Sequence, residues 1–413
     1  MADETTTGNA DSSGGSLSDS GAAGGGWPHI HLSSSQSQQS GAGLSDSRIG
    51  LSASGALPQL GEGAHGRLRY GADELAVVLS HYELGIIRAI QEFPRGSRKA
   101  PKALIRTDTG LYLLKRRAKG KDDPFRVAFA HALQIHLTDQ QFPLPHLIGT
   151  AADNNSMLQL HGRIYELFEY IKGTTYDSSL EATSESGRIL GLYHRLTRDF
   201  QTEYEPAEGS YHNSTTVRNA INTIPNTIKR LLPDQHEKQA SKIQELIHFI
   251  TTTYNTISDK ILDIGLEDWP MQVVHSDWHP GNMLYRGKHV VAVIDYDAAR
   301  IQQRILDIAN GALQFSILGG ADDLANWPEY LDESRLKRFM RAYESVPDTI
   351  LSKAELEVTP MLMVQALIAE SVIPVAATGK FVRMDGIQFL QMVKRKVIWL
   401  QQNSKKVISL ISD

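Results

Sequence analysis

The stretch HSDWHPGN, residues 275–282, sets polar side chains at fixed offsets, and the run VVAVIDYD begins at position 290. Pro280 and Gly281 force a turn, so a loop here can aim Asp277 and Asn282 at one spot. A carboxylate in that position can take a proton from a hydroxyl or amine nucleophile. An amide oxygen beside it can ligate a hard cation. Asp295 ends an apolar run that reads as a buried strand, and it would deliver a second oxygen ligand. Asn282 and Asp295 around a magnesium ion, with Asp277 beside it, would meet the demands of phosphoryl transfer: in-line placement, charge neutralisation and a group that orients the nucleophile. A rival uses the same letters. His275, Asp277 and His279 spell H-x-D-x-H, a pattern able to hold zinc or another transition metal in a hydrolase. That reading needs the three on an alternating strand, and Pro280-Gly281 follow at once.

Composition narrows the classes. The chain has 413 residues, enough for one large or two smaller domains with a real core. It has no cysteine, which excludes disulfides, thiol catalysis and cysteine metal sites. The net charge of −5 offers no basic field for nucleic acid. The N-terminus MADETTTGNA is polar and lacks the apolar region of a secretory signal. Apolar runs such as MLMVQALIA at 361–369 are too short to span a bilayer. The expectation is a cytoplasmic protein without nucleic-acid or membrane partners.

Elements must then position the loop. Residues 1–66 are dominated by Gly, Ser, Ala, Asp and Gln and read as a disordered tail. A short helix is expected over 71–84 and a strand over 86–93, followed by a basic turn, PRGSRKAP. KALIRTDTGLYLLKRR (102–117) reads as a hairpin about TDTG. Residues 124–140 have helical spacing, and 156–171 give two more strands around His161-Gly162. Helices follow at 185–200, 216–232 and 236–262, the second broken or kinked at Pro225. MQVVH and HVVAVID flank the polar loop as strands, and helices return at 304–319, 332–346, 353–373 and 383–411. The Lys-Arg-Lys run at 394–396 reads as a solvated helix face.

The ordered set LYLLKRR, ELFEYIKG, GRILGLYHRL, VVHSDWHPGNMLY and VIDYDAARIQQRILDIA resembles the aminoglycoside phosphotransferase and choline kinase branch of the protein-kinase-like fold. Its surroundings are most similar to the homoserine-kinase type II and spore-coat-kinase relatives. The resemblance implies an α+β fold of two lobes, a small antiparallel sheet lobe (67–170) and a larger helical lobe (171–413). It implies Asp277 as catalytic base, Asn282 and Asp295 as magnesium ligands, and Lys115 as the strand lysine holding the nucleotide phosphates. Leu113, on the same strand face, would line the purine site. Glu166, Leu167, Phe168 and Glu169 would form the hinge, with backbone groups of Leu167 to Glu169 bonding the purine. His275 would pack and hydrogen-bond to shape the loop, and Asp307 would brace it. This chain departs from the pattern in two places. Only Gly96 marks the phosphate-covering turn, where Arg95, Arg98 and Lys99 would supply charge. The helix at 124–140 has no glutamate for Lys115, only His131 and Gln134. Asp297 is either a further metal ligand or a turn cap, and His194 is a core histidine.

The expected function is transfer of the terminal phosphate of ATP or GTP, with Mg2+, to a hydroxyl or amine of a small-molecule acceptor. The helices at 210–262 would set specificity. Glu203, Glu205 and Glu208 hint at a cationic group, and Tyr204, Tyr211, Tyr254 and Trp269 could cradle one. The alternatives are a kinase-fold nucleotide-binding module without transfer activity, and the metal-dependent hydrolase.

Overall fold

The computed structural model describes Ile30, Leu32, residues 66–319 and residues 323–412. They fall into two compact units. One runs to Lys172 and takes in Thr202–Glu205; the other holds Gly173–Gln201 and the chain from Pro206 onward.

The first unit is built on α1 (Ala72–Leu79), β1 (Ile87–Glu92), β2 (Lys102–Thr107), β3 (Leu111–Arg116), α2 (Pro124–Asp139), β4 (Leu158–Leu160) and β5 (Arg163–Glu169). The five strands form one antiparallel sheet in the order β1-β2-β3-β5-β4. The TDTG turn is closed by the Thr107 hydroxyl, which accepts from the Thr109 and Gly110 amides. Asp123 caps α2 by accepting from the Phe125 and Arg126 amides, and Pro124 sits at the first helical position, where no N–H is needed. On β3, Tyr112 and Leu114 face the core, while Leu113 and Lys115 share the part-exposed face. Arg95, Arg98 and Lys99 in the turn after β1 are exposed.

The tail expected over 1–66 lies outside the described residues apart from Ile30, Leu32 and Gly66. Disorder does not hold at the two apolar positions. The Ile30 amide donates to Asn155 Oδ1 at 3.2 Å, and the Ile30 carbonyl accepts from the Ser156 amide at 2.7 Å. Leu32 exchanges two bonds with Asn154. Ile30 is buried against Val127, Ala128, Met157 and Ile164. An apolar seat and paired backbone groups offset the ordering entropy at these positions.

The second unit contains α3 (Leu180–Thr197), α4 (Thr215–Leu231), α5 (Pro233–Ile264), β6 (Met271–Val274), β7 (Met283–Arg286), β8 (His289–Val293), β9 (Arg300–Gln303), α6 (Arg304–Ser316), α7 (Glu333–Glu344), α8 (Lys353–Thr378), α9 (Gly386–Gln402) and α10 (Ser404–Ser412). The strands flanking the polar loop do not pair with each other. β6 pairs with β9, and β7 with β8. Helix α4 continues through Pro225, and the terminal helix expected over 383–411 is two, α9 and α10. α3 and α7 approach closely at Gly187, where an added Cβ would lie 2.1 Å from the Phe339 carbonyl oxygen. The 394–396 run is not a solvated face. Lys396 is buried and donates to the carbonyls of Leu318, Pro328 and Tyr330. Arg395 donates to the carbonyls of Leu324 and Ala325, and Lys394 lies over the Phe249 ring.

Helix α8 is longer than the apolar run 361–369 suggested. Among the described residues it is the helix whose length and composition suit a membrane span, yet 61% of its apolar window is buried within the fold.

Candidate active site

The loop after β6 is fixed from below by one carboxylate. Asp307, in the first turn of α6, accepts from the His275 amide through Oδ2 at 2.8 Å and from the Ser276 amide through Oδ1 at 2.9 Å. His194 Nε2 reaches the same Oδ2 at 3.2 Å, and its Nδ1 pairs with the Tyr343 hydroxyl. A carboxylate only accepts, so Nε2 carries the proton and Nδ1 receives the tyrosine's. Burial lowers the His194 pKa and keeps the ring neutral, although Asp307 opposes the shift. His194 is thus a core histidine, as expected, and it also supports the brace. Ser276 adopts φ +62°, a left-handed turn secured by these bonds.

His275 shapes the loop by packing. Its ring is wholly buried, with the rings of Tyr193, Trp278 and Tyr296 at centroid distances of 6.0, 5.4 and 5.1 Å. Neither ring nitrogen has a hydrogen-bond partner. The expected side-chain bond is absent, and the backbone amide makes the link to Asp307 instead. The hydrolase reading fails at the same point: His275 is enclosed by rings, and among the described residues no group of three or more His, Asp or Glu side chains is arranged to hold a metal.

Asp277 and Asn282 meet. The Asn282 amide nitrogen donates to Asp277 Oδ2 at 2.7 Å and to the Asp277 carbonyl at 3.0 Å. His279 Nε2 lies 3.4 Å from Asp277 Oδ1, and His279 Nδ1 accepts from the Gly281 amide, which fixes its tautomer. Burial alone would raise the Asp277 pKa. His279, His275 and the Asn282 amide outweigh it, so the carboxyl stays below its ordinary value and ionised at neutral pH. The Ile294 amide donates to the Asn282 carbonyl at 3.0 Å, which places Asp295 one residue beyond the link between β8 and this loop. Asp295 adopts φ +67°, a conformation that aspartate tolerates better than most residues. Asp297 follows in the short turn Tyr296–Ala298.

One participant was not foreseen. Glu370 on α8 helps to raise the His279 pKa, and its own pKa is pushed up to about 7, by burial first and then by Asp277. The signal was available: a lone acid in the apolar run LIAESVIPV. The acids and aromatics singled out at 203–269 do not form such a site. Glu203, Glu205 and Glu208 are exposed. Tyr254 is wholly buried, its hydroxyl on the Tyr211 carbonyl, while the Tyr211 hydroxyl caps the Leu306 carbonyl.

In the sheet unit, Lys115 Nζ lies 3.4 Å from Glu166 Oε2. Glu166 is wholly buried, and its Oε1 accepts from Arg117 at 2.6 Å and pairs with His131 Nε2 at 2.8 Å. His131 Nδ1 in turn pairs with the Ser156 hydroxyl at 2.8 Å. Burial would raise the Glu166 pKa, but Arg117, Lys115 and His131 hold it well below the ordinary value. The Glu166 carboxylate, from the stretch expected as the hinge, points into this cluster. Backbone groups at 167–169 also have partners within the sheet unit. The Leu167 carbonyl accepts from the Ile148 amide, and the Glu169 amide donates to the His146 carbonyl, both at 2.8 Å. The register sets Phe168 opposite Leu113, and the flanking bonds Tyr170 to Leu111 and Arg117 to Ile164 make this a hydrogen-bonded position of the ladder. Those backbone groups of Leu167 to Glu169 are already paired. Gln134 bonds its own helix at the Ala130 carbonyl, so His131 is what α2 contributes to the cluster.

The phosphotransferase enzyme family matches residues 90–355, a stretch that includes Lys115, Glu166, Asp277, Asn282 and Asp295. The chain belongs to that family. A homoserine kinase of Zymomonas mobilis is 25% identical over 207 residues, 50% of this chain and 58% of that enzyme, so the likeness spans little more than half of the relative. The amicoumacin kinase hAmiN, solved with AMP-PNP, Ca2+ and Ami, superposes with a TM-score of 0.56 over 79% of this chain and 93% of its own, at 12% identity. The microcompartment-associated aminopropanol kinase gives 0.55 over 80% and 97%, also at 12% identity. At such identities these structures establish the fold, the protein-kinase-like α+β arrangement expected above.

Proposed function

We propose that the protein is a small-molecule kinase that moves the terminal phosphate of ATP or GTP to a hydroxyl or amine, with Asp277 as the base. The pairing of Asp277 with Asn282 carries this reading. With the Asn282 nitrogen committed to Asp277, its Oδ1 is left as an oxygen ligand for a hard cation. Asn282 and Asp295 would hold a divalent ion, Mg2+ being our choice; bound there, it would neutralise charge on the transferring phosphate. Few protein ligands suffice for such an ion, since phosphates and water supply the rest. Asp277 Oδ2 accepts from Asn282, so Oδ1, with His279 Nε2 at 3.4 Å, would take the acceptor's proton. As the acceptor oxygen or nitrogen bonds to phosphorus, the bond to the nucleotide's bridging oxygen breaks and the proton passes to Asp277.

Lys115, on the same strand face as Leu113, would contact the nucleotide phosphates. With the Leu167 carbonyl and Glu169 amide paired within the sheet unit, the backbone groups next along this edge, the Glu169 carbonyl and the Ile171 amide, are our assignment for the purine. Glu370 beside Asp277 favours an acceptor that carries an ammonium group. Homoserine and aminopropanol, named for the relatives, have that character.

Asp277→Ala should slow turnover by about 10²–10⁴-fold, the usual size of a general-base contribution, with nucleotide affinity nearly unchanged. Asp295→Ala should abolish divalent-dependent nucleotide binding. A nucleotide-consumption screen over amino alcohols, sugars, homoserine-like acids and aminoglycosides supplies the acceptor for these kinetics. Full turnover by Asp277→Ala would remove the assignment.

A further inference from the structure

We infer that Glu166, on β5, positions Lys115 for the nucleotide phosphates, and that α2 reaches the lysine through His131. The inference rests on the reading of Lys115 as the phosphate contact.

The division of labour within Glu166 supports it. Oε1 is held by two buried donors, the Arg117 guanidinium and His131 Nε2. Oε2 has no hydrogen bond and lies 3.4 Å from the Lys115 ammonium. One oxygen therefore anchors the carboxylate to the fold, and the other orients a cation whose side chain is 18% exposed, against 5% for Arg117. A purely structural carboxylate would need no partly exposed second cation, because Arg117 already compensates its buried charge. The cluster is locked along the chain. Lys115 and Glu166 are register partners on neighbouring strands. His131 lies one turn after Val127 and Ala128 on α2, and its Nδ1 pairs with the Ser156 hydroxyl. Since the carboxylate can only accept, His131 donates from Nε2 and receives the serine proton at Nδ1. The acid that orients the lysine is thus built into the sheet, and the helix contributes a neutral donor behind it.

Binding of ADP and GDP, each with Mg2+, is compared with binding of adenosine and guanosine, using the full chain. The nucleosides report on the purine site and the diphosphates on the lysine. Glu166→Gln should weaken the preferred diphosphate by about 10–100-fold, the cost of misplacing a contact group, and leave the nucleoside unchanged. Moving the acid to the helix, Glu166→Gln with His131→Glu, should restore most of that loss, which a merely structural role would not do. If Lys115→Met weakens the diphosphate while a folded Glu166→Gln does not, the positioning role is overturned and the lysine reading stands. If Lys115→Met leaves diphosphate affinity unchanged, the lysine reading falls and this inference with it. Should Glu166→Gln lack a cooperative unfolding transition, His131→Gln decides: selective loss of diphosphate affinity supports the role, and unchanged affinity overturns it.

Discussion

Replacing Glu370 by glutamine should stabilise the protein in a pH-dependent way. In the fold its pKa rises from 4.5 to about 7, because burial and Asp277 both oppose ionisation. The unfolded chain has neither influence. The fold therefore holds the proton more tightly than the unfolded chain does. The resulting contribution is fully present below pH 4.5 and is lost as pH rises to about 7. At roughly 1.4 kcal/mol per unit, the shift corresponds to about 3 kcal/mol. Glutamine mimics the protonated acid at every pH. Glu370→Gln should match the parent near pH 4.5, gain on it through pH 7, and remain about 3 kcal/mol ahead above that. Equilibrium urea unfolding at pH 5 and pH 8, with EDTA present, measures the difference. Part of the shift comes from Asp277, so the gain at pH 8 should shrink when the comparison is repeated in an Asp277→Asn background. A stability difference that is the same at both pH values would refute the reasoning, as would a loss of stability in Glu370→Gln that deepens at pH 8.

Three further outcomes follow from the packing. Asp307→Asn removes the charge that holds the His275 and Ser276 amides and His194; it should lower stability by about 3 kcal/mol in urea unfolding and reduce turnover together with it. Gly187→Ala drives a methyl group against the Phe339 carbonyl at 2.1 Å, so α3 and α7 must separate, and a fall of about 2 kcal/mol or more in unfolding free energy is expected. Ile30→Ala should cost about 2 kcal/mol by the same measurement, at the low end for a buried isoleucine.

Much of this architecture was legible in the residues. Alternation in LYLLK placed Leu113 and Lys115 on one face, because a strand has a period of two and its buried face must be apolar. The polar loop was legible because proline and glycine restrict the turn. What escaped is long-range. β6 pairs with β9 across 25 intervening residues, and nothing local in MQVVH names that partner. Pro225 sits inside α4 because tertiary packing overrides its local cost. The lysine's partner was sought on the helix because pairing rules look to the neighbouring element, while Glu166 in ELFEY was read only as part of the hinge. Lys396 looked solvated for a similar reason: a run of basic residues does not reveal that carbonyls from 318 to 330 will converge on one of them.

The seat of Ile30 has a consequence for the order of assembly. Its backbone bonds to Asn155, 125 residues further along the chain. During synthesis this isoleucine leaves the ribosome long before Val127, Met157 and Ile164 exist to receive it. Ile30 can therefore be buried only once that later-made chain is in place. Closing so long a loop costs only slightly more than closing one half its length, since the entropy grows with the logarithm of length. The delay is one of timing rather than of equilibrium.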